Sequence, residues 1–111
     1  MKRFVIIIRG PVEGISGANS LASTEELEQI RTWLKSVKEQ YQDMLYQKFS
    51  GQTMYLGASG KIEQKIVQLI DGGEISQVIT LIMSSWEEAT RVAESFPFPN
   101  TFYTVELREM A

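Results

Sequence analysis

A β-branched run, Gln77-Val-Ile-Thr-Leu-Ile-Met83, leads straight into Ser84-Ser-Trp-Glu-Glu-Ala89, then Phe96-Pro-Phe-Pro99, then Tyr103-Thr-Val-Glu-Leu-Arg108. β-Branched residues pack well on a pleated surface, and serines ahead of an acidic first turn favour a helix start. Spaced prolines cannot continue that helix. The order is strand, capped helix, proline stop, strand, and any fold for this chain must accommodate it.

The first half has the same layout. Phe4 to Ile8 is apolar at every position, as in a strand buried on both faces. Residues 10–22 carry Gly10, Pro11, Gly14, Gly17 and Asn19, a composition that predicts a long surface loop. Ser23 and Glu26 have capping-box spacing, and Leu27, Ile30, Leu34, Val37 and Tyr41 then recur at helical steps. The apolar pattern runs on through Met44, Leu45, Tyr46 and Phe49, so the helix is expected to fray or break near Gln40 to Asp43 and to stop at Gly51. Thr53 to Leu56 and Ile62 to Leu69 read as short strands about Gly57-Ala-Ser-Gly60, with Asp71-Gly-Gly73 as a second turn.

With the small hairpin set aside, the expected order is β-α-β-β-α-β, an α+β ferredoxin-like sandwich in one domain spanning residues 1–111. Its two helices cover one face of an antiparallel sheet. The central strands are apolar on both sides: Phe4, Ile6 and Ile8 against Val5 and Ile7, then Ile79, Leu81 and Met83 against Val78 and Ile82. An uncovered apolar face invites a second copy, so a homodimer through the open sheet face is expected.

Composition removes several classes of chemistry. With 14 acidic and 11 basic residues, net charge −3 and pI near 5.0, the chain has no basic field to hold a phosphate backbone, and nucleic acid is not expected as a partner. An RNA-recognition domain of the same strand and helix order is also disfavoured, because Val78 to Met83 carries no aromatic residue. The chain has no Cys and no His, which excludes disulfides, thiolate nucleophiles, imidazole bases and the common zinc ligand sets. No cofactor is implied. Met1-Lys-Arg-Phe-Val-Ile-Ile-Ile8 resembles a charged n-region with an apolar segment, but Arg9-Gly-Pro interrupts it, so no membrane association and a cytoplasmic location are expected.

The turn Asp71-Gly72, Ser85-Trp-Glu-Glu-Ala89, Phe96-Pro97, Val105-Glu-Leu-Arg108, and Glu25-Glu-Leu27 followed by Trp33 together resemble the YCII-related (DGPF-type) domain family. That resemblance implies a dimeric α+β barrel, in which ferredoxin-like protomers pair through their open sheet faces. Family members are mostly small bacterial proteins without an established reaction, and some look like lyases or isomerases with a His-Asp pair. The chain departs from the pattern. Gly73-Glu74 replaces the Pro-Phe after the acidic-Gly turn, Gln77-Val78 stands near the usual Gly pair, and the catalytic-type His, expected near Glu26, is missing.

Arg9, Glu26, Asp71 and Tyr103 are expected at one rim of the sheet, where a guanidinium, an aromatic wall and two carboxylates can orient a small anionic or phenolic ligand. Each also has a plain structural explanation: Glu26 as a helix-capping residue, Asp71 as a turn former, Arg9 as a solvated strand end. Glu106 and Arg108 share one face of the last strand, as ion pairs at a dimer seam, edge protection or ligand contacts. Trp33 and Trp86 sit on helices with apolar stripes and read as packing anchors, while Gly10, Gly14 and Gly17 match no phosphate-binding pattern. The expected function is a dimeric small-molecule binding or accessory module. The alternative is a cofactor-free lyase or isomerase in which Asp71 or Glu26, raised in pKa by burial, moves a proton while Arg9 holds the substrate.

Overall fold

The computed structural model describes residues 1–10, 24–49, 54–58, 60–62, 75–99 and 102–111. Strand β1 (Lys2–Arg9) and strand β5 (Ile75–Met83) form the centre of a four-stranded antiparallel sheet. Strand β2 (Leu45–Lys48) lies outside β5 and strand β6 (Thr104–Glu109) outside β1, giving the order β2-β5-β1-β6. Helices α1 (Thr24–Gln40) and α2 (Trp86–Glu94) complete this α+β fold, which is compatible with a ferredoxin-like arrangement. A separate hairpin pairs β3 (Tyr55–Gly57) with β4 (Gly60–Ile62). No helix among the described residues is long and apolar enough to cross a membrane.

The sheet has two different faces because side chains alternate along a strand. Phe4, Ile6, Ile8, Ile79, Leu81 and Met83 point to the helix side and are fully buried. Shielding side chains of this size from water contributes about 1.5–3 kcal/mol each. Helix α1 covers them with Ile30, Trp33 and Val37, and α2 with Ala89, Val92 and Ala93. Val5, Ile7, Val78 and Ile82 take the opposite parity and are only half-buried.

Helix α2 begins as the sequence predicts. Ser85 holds an extended conformation (φ −158°, ψ 165°), and its Oγ accepts a hydrogen bond from Glu88 N at 3.2 Å. Beyond its C-terminus, Phe96 packs edge-on against Trp33 with ring centroids 5.2 Å apart. Trp33 Nε1 donates to Ser95 Oγ at 2.8 Å, so this indole is a buried anchor between the helices. Trp86 is half-exposed. It stacks edge-on against Phe4 at 5.2 Å and donates to Glu109 Oε1 at 2.8 Å, which ties α2 to β6.

Two expectations change. The residues Leu45 to Lys48 are not a continuation of the helix toward Gly51 but an edge strand, with Leu45 opposite Thr80 and Lys48 opposite Gln77. The spacing of Tyr41, Leu45, Tyr46 and Phe49 fits a helix stripe and a short strand equally, and pairing with β5 decides in favour of the strand. Helix α1 stops at Gln40, at the break expected near Gln40 to Asp43, and Lys38 Nζ donates to the carbonyls of Gln42 and Met44 at 3.2 and 3.3 Å. The hairpin turn falls where expected, but its second strand begins at Gly60, whose φ of 117° suits only glycine. Residues 63–69 of the expected strand, the 10–22 loop beyond Gly10 and the Asp71 turn lie outside the described residues.

Candidate functional site

The end of the sheet where β1 finishes and β6 starts carries Arg9 and Tyr103, two of the residues the sequence singles out. Arg9 pairs with Thr104 in the ladder, and its guanidinium reaches Glu106 Oε1 at 3.4 Å on the half-buried face. Arg108 also donates to Glu106 from two residues along the same strand. The hydrogen bond from Arg108 holds the Glu106 carboxyl below the usual carboxylate range, partial burial opposes that, and Arg9 adds to the lowering. One carboxylate therefore fixes two guanidiniums beside Ile7, its cross-strand neighbour. Arg108 is exposed, while only 16% of the Arg9 side chain is accessible.

Tyr103 lies on the other face. Its ring packs into the helix-side core 5.7 Å from Phe96 and against the backbone of Gly10, with 4% exposure. Burial pushes its phenol above the ordinary value, and the negative charge of Glu26, half-buried on α1, adds to the rise. The structure thus brings Glu26 and Tyr103 near each other and sets Arg9 across the sheet from them. The reason is strand alternation: Arg9 stands opposite Thr104, and the next residue along must face away from it. Asp71 is outside the described residues.

Comparison adds no relative. No protein-family model, curated protein or solved structure matches this chain.

Two further concavities lie on the helix side. A broad groove of about 970 Å³ runs between α1 and α2 past Trp33, Tyr41, Glu88, Arg91 and Pro97. Within it, Tyr41 Oη donates to Glu88 Oε2 at 2.5 Å, and Ser84 donates to Oε1 from both N (2.8 Å) and Oγ (2.6 Å). The donors from Ser84 and Tyr41 pull the Glu88 carboxyl down to about 2. Burial first, and then the hydrogen bond to Glu88, pushes the Tyr41 phenol up to about 12. At neutral pH one is fully ionised and the other fully protonated, so the pair works as a lock between helices and not as a proton relay.

The second concavity is a cavity of about 60 Å³ between α1 and the β2–β5 edge, lined by Leu27, Ile30, Lys48, Gln77 and Tyr103 among others. Sequence reasoning passed over Gln77 and Lys48. The signal was present, because Gln77 shares the parity of Ile79, Leu81 and Met83, and a carboxamide at a core position needs a partner.

Proposed function

We propose that the protein is a homodimeric small-molecule binding module of the YCII-related type. In this reading two copies stack their half-buried sheet faces into an α+β barrel, and the Arg9–Glu106–Arg108 trio holds a small anionic or phenolic ligand between them. One observation carries the reading. Val5, Ile7, Val78 and Ile82 form an aliphatic centre on the face away from both helices, and fixed guanidiniums stand at its margin. An apolar platform edged by a few oriented donors is what ligand sites and dimer faces have in common.

Two carboxylates are unsuited to the proton-transfer role. A lyase or isomerase base must be held near neutrality, yet Glu88 and Glu106 are both displaced downward by their donors. Light scattering at micromolar concentration is expected to give about twice 12.6 kDa, and Ile7→Asp to return the monomer. Arg9→Ala is expected to abolish thermal stabilisation by benzoate or 4-hydroxybenzoate while lowering the stability of the unliganded protein by only about 1 kcal/mol. A monomer at every concentration, or unchanged affinity in Arg9→Ala, refutes the reading.

A further inference from the structure

The sheet face away from the helices carries a charge opposite in sign to that of the whole chain, whose net charge is −3. Strand alternation puts Arg3 and Arg9 of β1 on this face together with Glu106 and Arg108 of β6, around Val5 and Ile7. Among the described residues, the strands therefore set three guanidiniums against one carboxylate here, an excess of two positive charges. Glu106 is already shared between Arg9 and Arg108. Arg3 is exposed, and its neighbours are neutral: Ile82 opposes it in the β5 ladder, and Met110 N donates to its carbonyl at 2.8 Å on the other side. No ion pair among the described residues involves Arg3.

This excess bears on the dimer proposed above. A two-fold interface sets a surface patch against its own copy, so each face would meet the same excess across the barrel. The aliphatic centre favours stacking, while juxtaposed like charges oppose it and unpaired burial of those charges is costlier still. An anion between the faces removes the conflict. One monocarboxylate per copy cancels half of the excess, and one dianion cancels all of it. The spacing of the cations then selects among dianions. Arg3 and Arg9 lie six residues apart on β1, about 20 Å along the strand. A compact dianion such as sulfate meets the guanidiniums at one end only, whereas two carboxylates joined by an aliphatic chain can serve both ends and lay the chain on the apolar centre.

We propose that the ligand of this face is an aliphatic dicarboxylate, with one carboxylate at Arg3 and the other at Arg9 and Arg108, and that its binding is linked to dimerisation. The proposal rests on the dimeric reading and narrows its ligand class. Sedimentation of the intact chain over a dilution series, at constant ionic strength with adipate, hexanoate or sulfate at about 10 mM, tests it. Adipate is expected to lower the dimer dissociation constant about tenfold or more relative to hexanoate and to sulfate, because a ligand that binds the dimer better than the monomer pulls the equilibrium toward it. Arg3→Gln removes one like charge from each face. Its unliganded dimer is expected to be at least as tight as wild type, and adipate to act on it no better than hexanoate. Arg31→Gln, on the exposed side of α1, is expected to respond to adipate as wild type does. An adipate effect no larger than that of hexanoate or sulfate overturns the proposal, as does a full adipate response in Arg3→Gln. A dimer indifferent to adipate that still loses benzoate binding in Arg9→Ala overturns this inference and leaves the dimeric binding module standing. A monomer under every condition overturns both.

Discussion

Glu88 gives the helix layer a pH-dependent lock whose contribution can be worked out from its geometry. Three donors converge on the carboxylate, from Tyr41 Oη at 2.5 Å and from Ser84 N and Oγ at 2.8 and 2.6 Å. They hold its pKa at about 2, against 4.5 for an unperturbed group. At about 1.4 kcal/mol per pKa unit the shift corresponds to about 3 kcal/mol, and solvent at this helix-surface position screens it to about 1–2 kcal/mol. The lowered pKa stabilises the ionised form, so the contribution is complete above pH 4.5 and disappears as pH falls toward 2. Glu88→Gln keeps the shape and removes the charge. It is expected to cost about 1–2 kcal/mol at pH 7 and little near pH 2, read from urea unfolding followed by tryptophan fluorescence. Tyr41→Phe is expected to cost about 1 kcal/mol at pH 7 in the wild-type background and close to nothing in the Glu88→Gln background, a coupling that a double-mutant cycle isolates. Parallel pH–stability curves for wild type and Glu88→Gln, or an additive double mutant, would refute the account.

Gly10→Ala is expected to destabilise the fold by about 1–3 kcal/mol, since the new Cβ falls 2.5 Å from Tyr103 Cδ1 and the buried ring, which also packs on Phe96, must shift to relieve the clash. A Tm within about 1 °C of wild type would show that the ring moves freely. Ser85→Ala removes the acceptor for Glu88 N and is expected to cost about 1 kcal/mol, whereas Ser85→Asp is expected to restore it; equal losses in both would assign the effect to something other than the cap.

Where local chemistry and tertiary pairing agree, the sequence was sufficient. Ser85, the acidic residues after it and the prolines beyond Phe96 mark both ends of α2 without reference to the rest of the molecule. The unbroken apolar run of β1 likewise marks a strand with two neighbours. Leu45 to Lys48 failed because four exposed residues at an edge carry no period of their own, and only the partner strand fixes their conformation. The rim residues were legible only in part. Arg9 and Tyr103 do end up at one end of the sheet, as topology requires, but which face each takes depends on a one-residue parity that strand order alone does not specify. Gln77 was missed because the bulge that buries it leaves no local mark in the sequence beyond a polar residue at a core position.

The hydrogen bonds around Glu106 also make it a poor general base. A general base needs a carboxyl starved of donors, so that burial can raise its pKa toward neutrality. Glu106 has the opposite environment, with two guanidiniums competing for it, and its lowered pKa is the electrostatic counterpart of their being held in place. What it loses as a base it gives to Arg9 and Arg108 as fixed donors, and preorganised donors cost less entropy when an anion arrives.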